Sequence, residues 1–340
     1  MSDGPLVVPE VFRRRRVASD AARERLKTSL TALGVDDGRH PRLTIYATGS
    51  MARHELGSHS DLDVFLVDAA DSTERVGNLA RIRLLSDLIR AADAAGFGAF
   101  SNDGEFLRVH PLEDLSGYLG TRDDDASNVF TARMLLLLES VPLVGEDAYQ
   151  TCVARVLADY WRDERPAGFL PVFLVNDIVR YWKTLCLNYE ASRADLAAPG
   201  EHGAVARRRL ALVKLRFNRL WMCFNGLAYL LAGYQPEDAN RRGAISKEHA
   251  VSMVDIPPLE RLRRTVELVP EAIDPAQRAL DELGWWLGIS DQEKSYLRET
   301  FADDDVYAEA RGRGERFGDA MAELVGAVSQ RTPLHRYLLL

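Results

Sequence analysis

Two regimes of hydrophobic patterning follow one another along the chain. Residues 18–34 form an Ala-rich stretch with Leu26, Leu30 and Leu33 at helical spacing and Gly34 as a stop. "RLTIYATG" reads as a strand, residues 51–56 as a short helix or loop, and "DLDVFLV" as a second strand. "NLARIRLLSDLIRAADAAG" (78–96) is helical with a Gly terminator, and "FGAFSNDGEFLRVHPL" reads as a hairpin around a Ser-Asn-Asp-Gly turn. From Ala126 the pattern is almost wholly helical, over 126–140, 146–162, 169–195, 204–233, 245–254, 257–269, 274–287, 290–299 and 302–328. This order predicts an α+β chain: a small α/β domain over residues 1–145, then an α-helical domain over 146–340.

Composition narrows the picture little but sets its chemistry. With 340 residues, 46% of them hydrophobic, the chain has ample material for two cores. A net charge of -8 disfavours a surface built for nucleic acid, although local basic patches leave that open. It favours a protein partner or a cationic small molecule. Cys152, Cys186 and Cys223 are an odd count, widely spaced in apolar stretches, and read as reduced buried thiols. No apolar run approaches the ~18 residues of a membrane span. "FNGLAYLLAG" (224–233) reads as a buried helix, and the N-terminus lacks a signal-peptide layout. The expectation is a cytoplasmic protein without a membrane partner.

One stretch stands out, "ATGSMARHELGSHSDLDVFLV" (47–67). Residues i and i+2 of a strand point to the same side, so Asp61 and Asp63 project together, opposite Leu62 and Val64. Two carboxylates held close repel unless a cation lies between them. Hard divalent cations such as Mg²⁺, with Mn²⁺ as an alternative, take oxygen ligands and keep positions open for phosphate. An Asp-x-Asp alone is a common, uninformative pattern at a solvated strand start. Its context changes that: Gly49 and Ser50 form a turn at the end of the preceding strand, where backbone N–H groups and a hydroxyl suit a phosphate.

Gly49-Ser50 followed by Asp61-Leu62-Asp63 resembles the signature of the DNA polymerase β-type nucleotidyltransferase superfamily. The finer resemblance is to the branch containing the PII uridylyltransferases, with Gly49, Arg53, Glu55, Leu56, Ser60, Asp61 and Asp63 at that branch's spacing. Asn128, Arg133 and Gly145 resemble the helix that follows. The likeness covers about residues 43 to 147, without the glycines of the uridylyltransferase turn over 51–54. It implies a polymerase-β-like catalytic domain using Mg²⁺ and a nucleoside triphosphate as substrate, with transfer of a nucleoside monophosphate to an acceptor hydroxyl and release of pyrophosphate. Asp61 and Asp63 would hold the metal. Gly49, Ser50, Arg53 and Ser60 would bind the nucleotide.

The superfamily adds a third carboxylate from a later strand. Glu105 is the choice here because it begins a strand, whereas Asp103 sits at the turn and caps it. His110 is the alternative base, and a site with neither is the third option. In the helical half, Asn176, Asp177, Arg180 and Lys183 make a polar stripe on an apolar helix. The plain reading is a solvated stripe with an Asp177–Arg180 pair. The resemblance instead implies that Arg180 and Lys183, followed by Lys214, meet the triphosphate. The acceptor is then a protein or a small molecule. A nucleotide-binding regulatory or antitoxin-type module of the same fold is the competing reading.

Overall fold

The computed structural model describes residues 4–36, 38–98, 100, 104, 107–117, 119–121, 124, 128–164, 168–195, 203–237 and 243–339. The chain divides into two compact units, Arg14–Asp163 and Met1–Arg13 with Glu164–Leu340.

The first unit contains a four-stranded mixed sheet. Helix α1 (Glu10–Ala32) leads to β1 (Leu43–Thr48), a single helical turn α2 (Gly49–Ala52), β2 (Val64–Asp68) and α3 (Asn78–Ala94). Then come β3 (Val109–Pro111), α4 (Leu112–Gly117), α5 (Val129–Leu138), β4 (Ser140–Val144) and α6 (Glu146–Tyr160). The sheet order is β3-β2-β1-β4, with β1 antiparallel to both β2 and β4 and β3 parallel to β2.

Every residue of β1 and β2 is buried, which explains why both read as continuous apolar runs. On one face Ile45, Ala47, Val64 and Leu66 pack with Ala22, Leu26 and Leu30 of α1 and Leu84, Leu88 and Ala91 of α3. On the other, Tyr46 stacks on Phe65 at 5.8 Å between ring centroids, and Tyr149 of α6 meets Tyr46 edge-on at 5.9 Å. The Tyr149 hydroxyl shares a 2.7 Å hydrogen bond with Ser140 of β4.

Three expectations change. The helix expected over 126–140 ends at Leu138, and Ser140–Val144 is an edge strand. Its register slips opposite Ile45 and Tyr46, where a bulge accommodates Pro142, a residue tolerated only at edges and bulges. The hairpin expected over 97–112 is not formed by the described residues. Phe100 bridges Leu62 and Val109–Pro111 pairs with Leu66–Asp68, both in parallel sense, so both stretches run in the same direction along β2. Finally, α6 belongs with the sheet, so the first unit runs to Asp163 and not to 145. Gly145 fixes where α6 starts: its φ is +69°, and a Cβ there would lie 2.1 Å from the Leu43 carbonyl oxygen.

The second unit is helical, as the patterning predicts. It comprises α7 (Val172–Asp195), α8 (Ala204–Lys214), α9 (Leu220–Ala232), α10 (Lys247–Asp255), α11 (Pro258–Leu268), α12 (Ile273–Ile289), α13 (Lys294–Thr300), α14 (Asp304–Ser329) and α15 (His335–Leu339). A π-helical turn, Leu215–Arg219, joins α8 to α9 inside the long helix expected over 204–233. Within the 204–233 stretch most aromatics are core, with Phe217, Trp221 and Tyr229 buried, and Phe217 stacks on Trp286 at 5.7 Å and on Phe317 at 5.1 Å. No described helix is long and apolar enough to cross a membrane.

Candidate active site at the Gly49 turn

The aspartate pair sits just before β2, where pairing with β1 ends. Thr48 N–H donates to the Asp63 carbonyl oxygen at 2.9 Å, extending the antiparallel ladder one step past Ala47 and Val64. Leu62 and Val64 are buried in the core shared with α1 and α3, while Asp61 and Asp63 are half-buried. This alternation turns both aspartates away from that core, as the period of an extended chain requires.

Gly49 faces Asp63 across this end of the sheet. Its φ is +66°, a conformation that side-chain-bearing residues avoid. A Cβ at Gly49 would stand 2.4 Å from Asp63 Oδ2, so the carboxylate occupies the space that any other residue would fill. Turn and carboxylate are therefore one packed unit and not merely neighbours in sequence. Asp63 also lines a small hollow with Leu62, Phe65, Phe100, Gly104 and Leu107.

Arg53 does not present its charge to this opening. It is buried, with Nε donating to Glu55 Oε2 at 2.6 Å and Nη1 paired with Glu139. Burial opposes the guanidinium charge, but the carboxylates of Glu139 and Glu55 outweigh it and hold Arg53 above its ordinary pKa. The nucleotide contact expected of Arg53 is thus corrected to an internal ion network. Ser60 likewise closes a loop: its hydroxyl accepts from Gly57 N–H at 2.9 Å and its own N–H donates to Gly57 O at 3.2 Å, just ahead of Asp61.

Arg133 is buried too, bidentate to Asp124 at 2.7 Å for both bonds and donating to the Tyr160 hydroxyl at 3.0 Å. Glu139 and Asp124 went unrecognised in the sequence. The signal for Glu139 was present, a lone charge inside "MLLLLESVPLV", because a carboxylate in an apolar run needs a buried cation.

His110 does not join the pair. It stands opposite Val67, and four residues of strand separate Val67 from Asp63, about 13 Å at ~3.3 Å per residue. Its ring packs on Phe65 and its Nε2 accepts from Arg108 Nε at 3.2 Å. Burial, reinforced by the Arg108 charge, pushes the imidazole pKa down to about 4. A folded-state pKa below the unfolded 6.5 means that His110 costs stability as pH falls from 6.5 through 4. The stability difference between wild type and His110→Phe is therefore expected to move by about 3 kcal/mol against wild type across that window. Urea unfolding at pH 7, 5.5 and 4 reads this directly, and an unchanging difference contradicts it.

Glu105 and Asp103 lie outside the described residues. Among the described residues no group of three or more His, Cys, Asp or Glu could hold a metal ion. Asp61 and Asp63 fit a divalent cation as an oxygen-only donor pair with solvent access, leaving further positions to phosphate and water. In the second unit, Arg180 pairs at 3.3 Å with Asp177, which is buried and not part of a solvated stripe. Lys183 and Lys214 are exposed. No protein-family model matches the chain, and comparison with curated proteins yields no match.

Proposed function

We propose that the first unit is a nucleotidyltransferase, binding a nucleoside triphosphate at the Gly49–Ser50 turn and passing its nucleoside monophosphate to an acceptor hydroxyl. The observation that carries this reading is the approach of the Asp63 carboxylate to Gly49, with a Cβ-to-oxygen separation of only 2.4 Å if the glycine had a side chain. An aspartate that close to a turn of left-handed conformation brings a metal ligand and a phosphate cradle within one small volume.

Asp61 and Asp63 would hold a Mg²⁺ ion, which supplies charge neutralisation for the triphosphate. The turn residues Gly49 and Ser50 bind its terminal phosphates through backbone N–H groups and the Ser50 hydroxyl. That fixes the α-phosphate for in-line attack by the acceptor, and positioning of this kind provides much of the rate. A bond forms between the acceptor oxygen and the α-phosphorus, and the bond to the β-phosphate breaks to release pyrophosphate. Glu105 is assigned the acceptor's proton.

The acidic chain, with its net charge of -8, supports a protein or cationic small-molecule acceptor over nucleic acid. Incubating the protein with Mg²⁺, a cell lysate and each α-labelled nucleoside triphosphate in turn tests this. Label is expected on a protein or metabolite with one triphosphate preferred. Metal-dependent nucleotide binding without label or pyrophosphate from any acceptor would favour the regulatory module instead.

A further inference from the structure

The Gly49–Ser50 turn hangs from two residues that are themselves locked together. Gly49 O accepts from Arg53 N–H at 3.0 Å, and Ser50 O accepts from Glu55 N–H at 2.8 Å. The side chains of those same two residues form the 2.6 Å pair described above, and Arg53 reaches on to Glu139, the residue that ends α5 and precedes β4. Between them His54 has a φ of +59°, a conformation uncommon for a residue with a side chain. The N-terminal helix closes the far side: Leu56 N–H donates to Ser19 Oγ at 3.0 Å, and Arg15 Nη1 donates to Glu55 O at 3.4 Å.

We infer that Arg53, clamped between Glu55 and Glu139, is a positioning residue that sets the Gly49–Ser50 turn against Asp63. This rests on the nucleotidyl-transfer reading and goes beyond it by naming what builds the site from behind. Three features argue for positioning and not for bulk stability alone. The network's backbone hydrogen bonds end on the two turn residues themselves. The Arg53 guanidinium is buried between the carboxylates of Glu55 and Glu139, so its charge is turned to them and not to a phosphate. It also holds a backbone outlier, the kind of strain that persists where the surroundings over-determine a conformation. A guanidinium is needed because two different edges of one planar group meet two carboxylates, which an ammonium cannot reproduce.

The test compares wild type, Arg53→Lys, Glu139→Gln and Asp61→Ala/Asp63→Ala. Amide hydrogen exchange without nucleotide is followed by steady-state kinetics of pyrophosphate release. In Arg53→Lys, exchange is expected to quicken at least tenfold over residues 49–56 while β1 and β2 keep wild-type protection. The KM for triphosphate is expected to rise about tenfold. If Arg53→Lys does not fold, Glu139→Gln, which keeps the Arg53–Glu55 pair, must show the same pattern. An unchanged KM, or a loss of protection spread evenly over the first unit, overturns the inference. Failure of the underlying reading shows separately, as equal pyrophosphate release by wild type and the double aspartate variant.

Discussion

If the first unit is the nucleotidyltransferase proposed above, Asp63→Ala is expected to cut pyrophosphate release on the order of a thousandfold while leaving the fold intact, since it removes a proposed metal ligand where charge must be neutralised. The backbone bond by which Asp63 serves the sheet, 2.9 Å from Thr48 N–H to its carbonyl, is kept in this variant. Its carboxylate is half-buried against Gly49 and the solvent-accessible end of the strands. Asp68 at the other end of β2 makes the contrast. Its buried carboxylate accepts from Ala70 N–H at 3.0 Å and Val76 N–H at 2.9 Å, closing the loop into α3. Truncating it leaves two buried donors unsatisfied, each costing about 1–3 kcal/mol, with kcat unaffected in molecules that remain folded. Thermal melts and initial rates on both variants separate the roles. A stable, active Asp63→Ala contradicts the assignment.

Gly49→Ala carries the second large effect. A methyl group there must displace Asp63 Oδ2 from 2.4 Å and must also hold a φ of +66°, which costs a non-glycine residue about 1–2 kcal/mol. Moving the carboxylate by an ångström is expected to lower kcat/KM by about a hundredfold, the scale on which small misplacements of reacting groups act. Gly77, the N-cap of α3, has open space around its would-be Cβ and a φ of -66°, so Gly77→Ala should cost no more than the loss of a helix cap, about 1 kcal/mol, and leave the rate near wild type. Parallel measurement of the two alanine variants separates loss of conformational freedom from displacement of Asp63. Equal effects at both sites would contradict the Gly49 argument.

The fold was legible where periodicity was long and clean. The helices of the second unit, and the strands flanking the Gly49 turn, follow from apolar spacing alone. Strand β4 was hidden by its shortness, its Pro142 and its bulge, all of which weaken an alternating pattern. The parallel pairing of Phe100 and β3 with β2 was hidden for another reason. A Ser-Asn-Asp-Gly turn suggests a reversal, yet whether the chain pairs with itself or with an earlier strand is a tertiary choice that local turn chemistry does not encode. The same holds within the site. Asp61, Asp63 and Gly49 could be singled out as candidates because they lie within a run of fifteen residues, and the fold does bring Asp63 against Gly49. Arg53 looked like a ligand for phosphate because its partner Glu139 lies far along the chain, and only folding brings the two together. His110 failed as a candidate base because the parallel register carries it to the wrong end of β2.

The most direct measurement is Mg²⁺-dependent pyrophosphate release from each common nucleoside triphosphate, in the presence of lysate, by wild type and by Asp61→Ala/Asp63→Ala side by side. Nucleotidyl transfer at the Gly49 turn predicts release by wild type with one triphosphate preferred, its loss on chelation of the metal, and a fall of about a thousandfold or more in the double variant. Equal release by the two proteins, or none by wild type with any triphosphate, would contradict it.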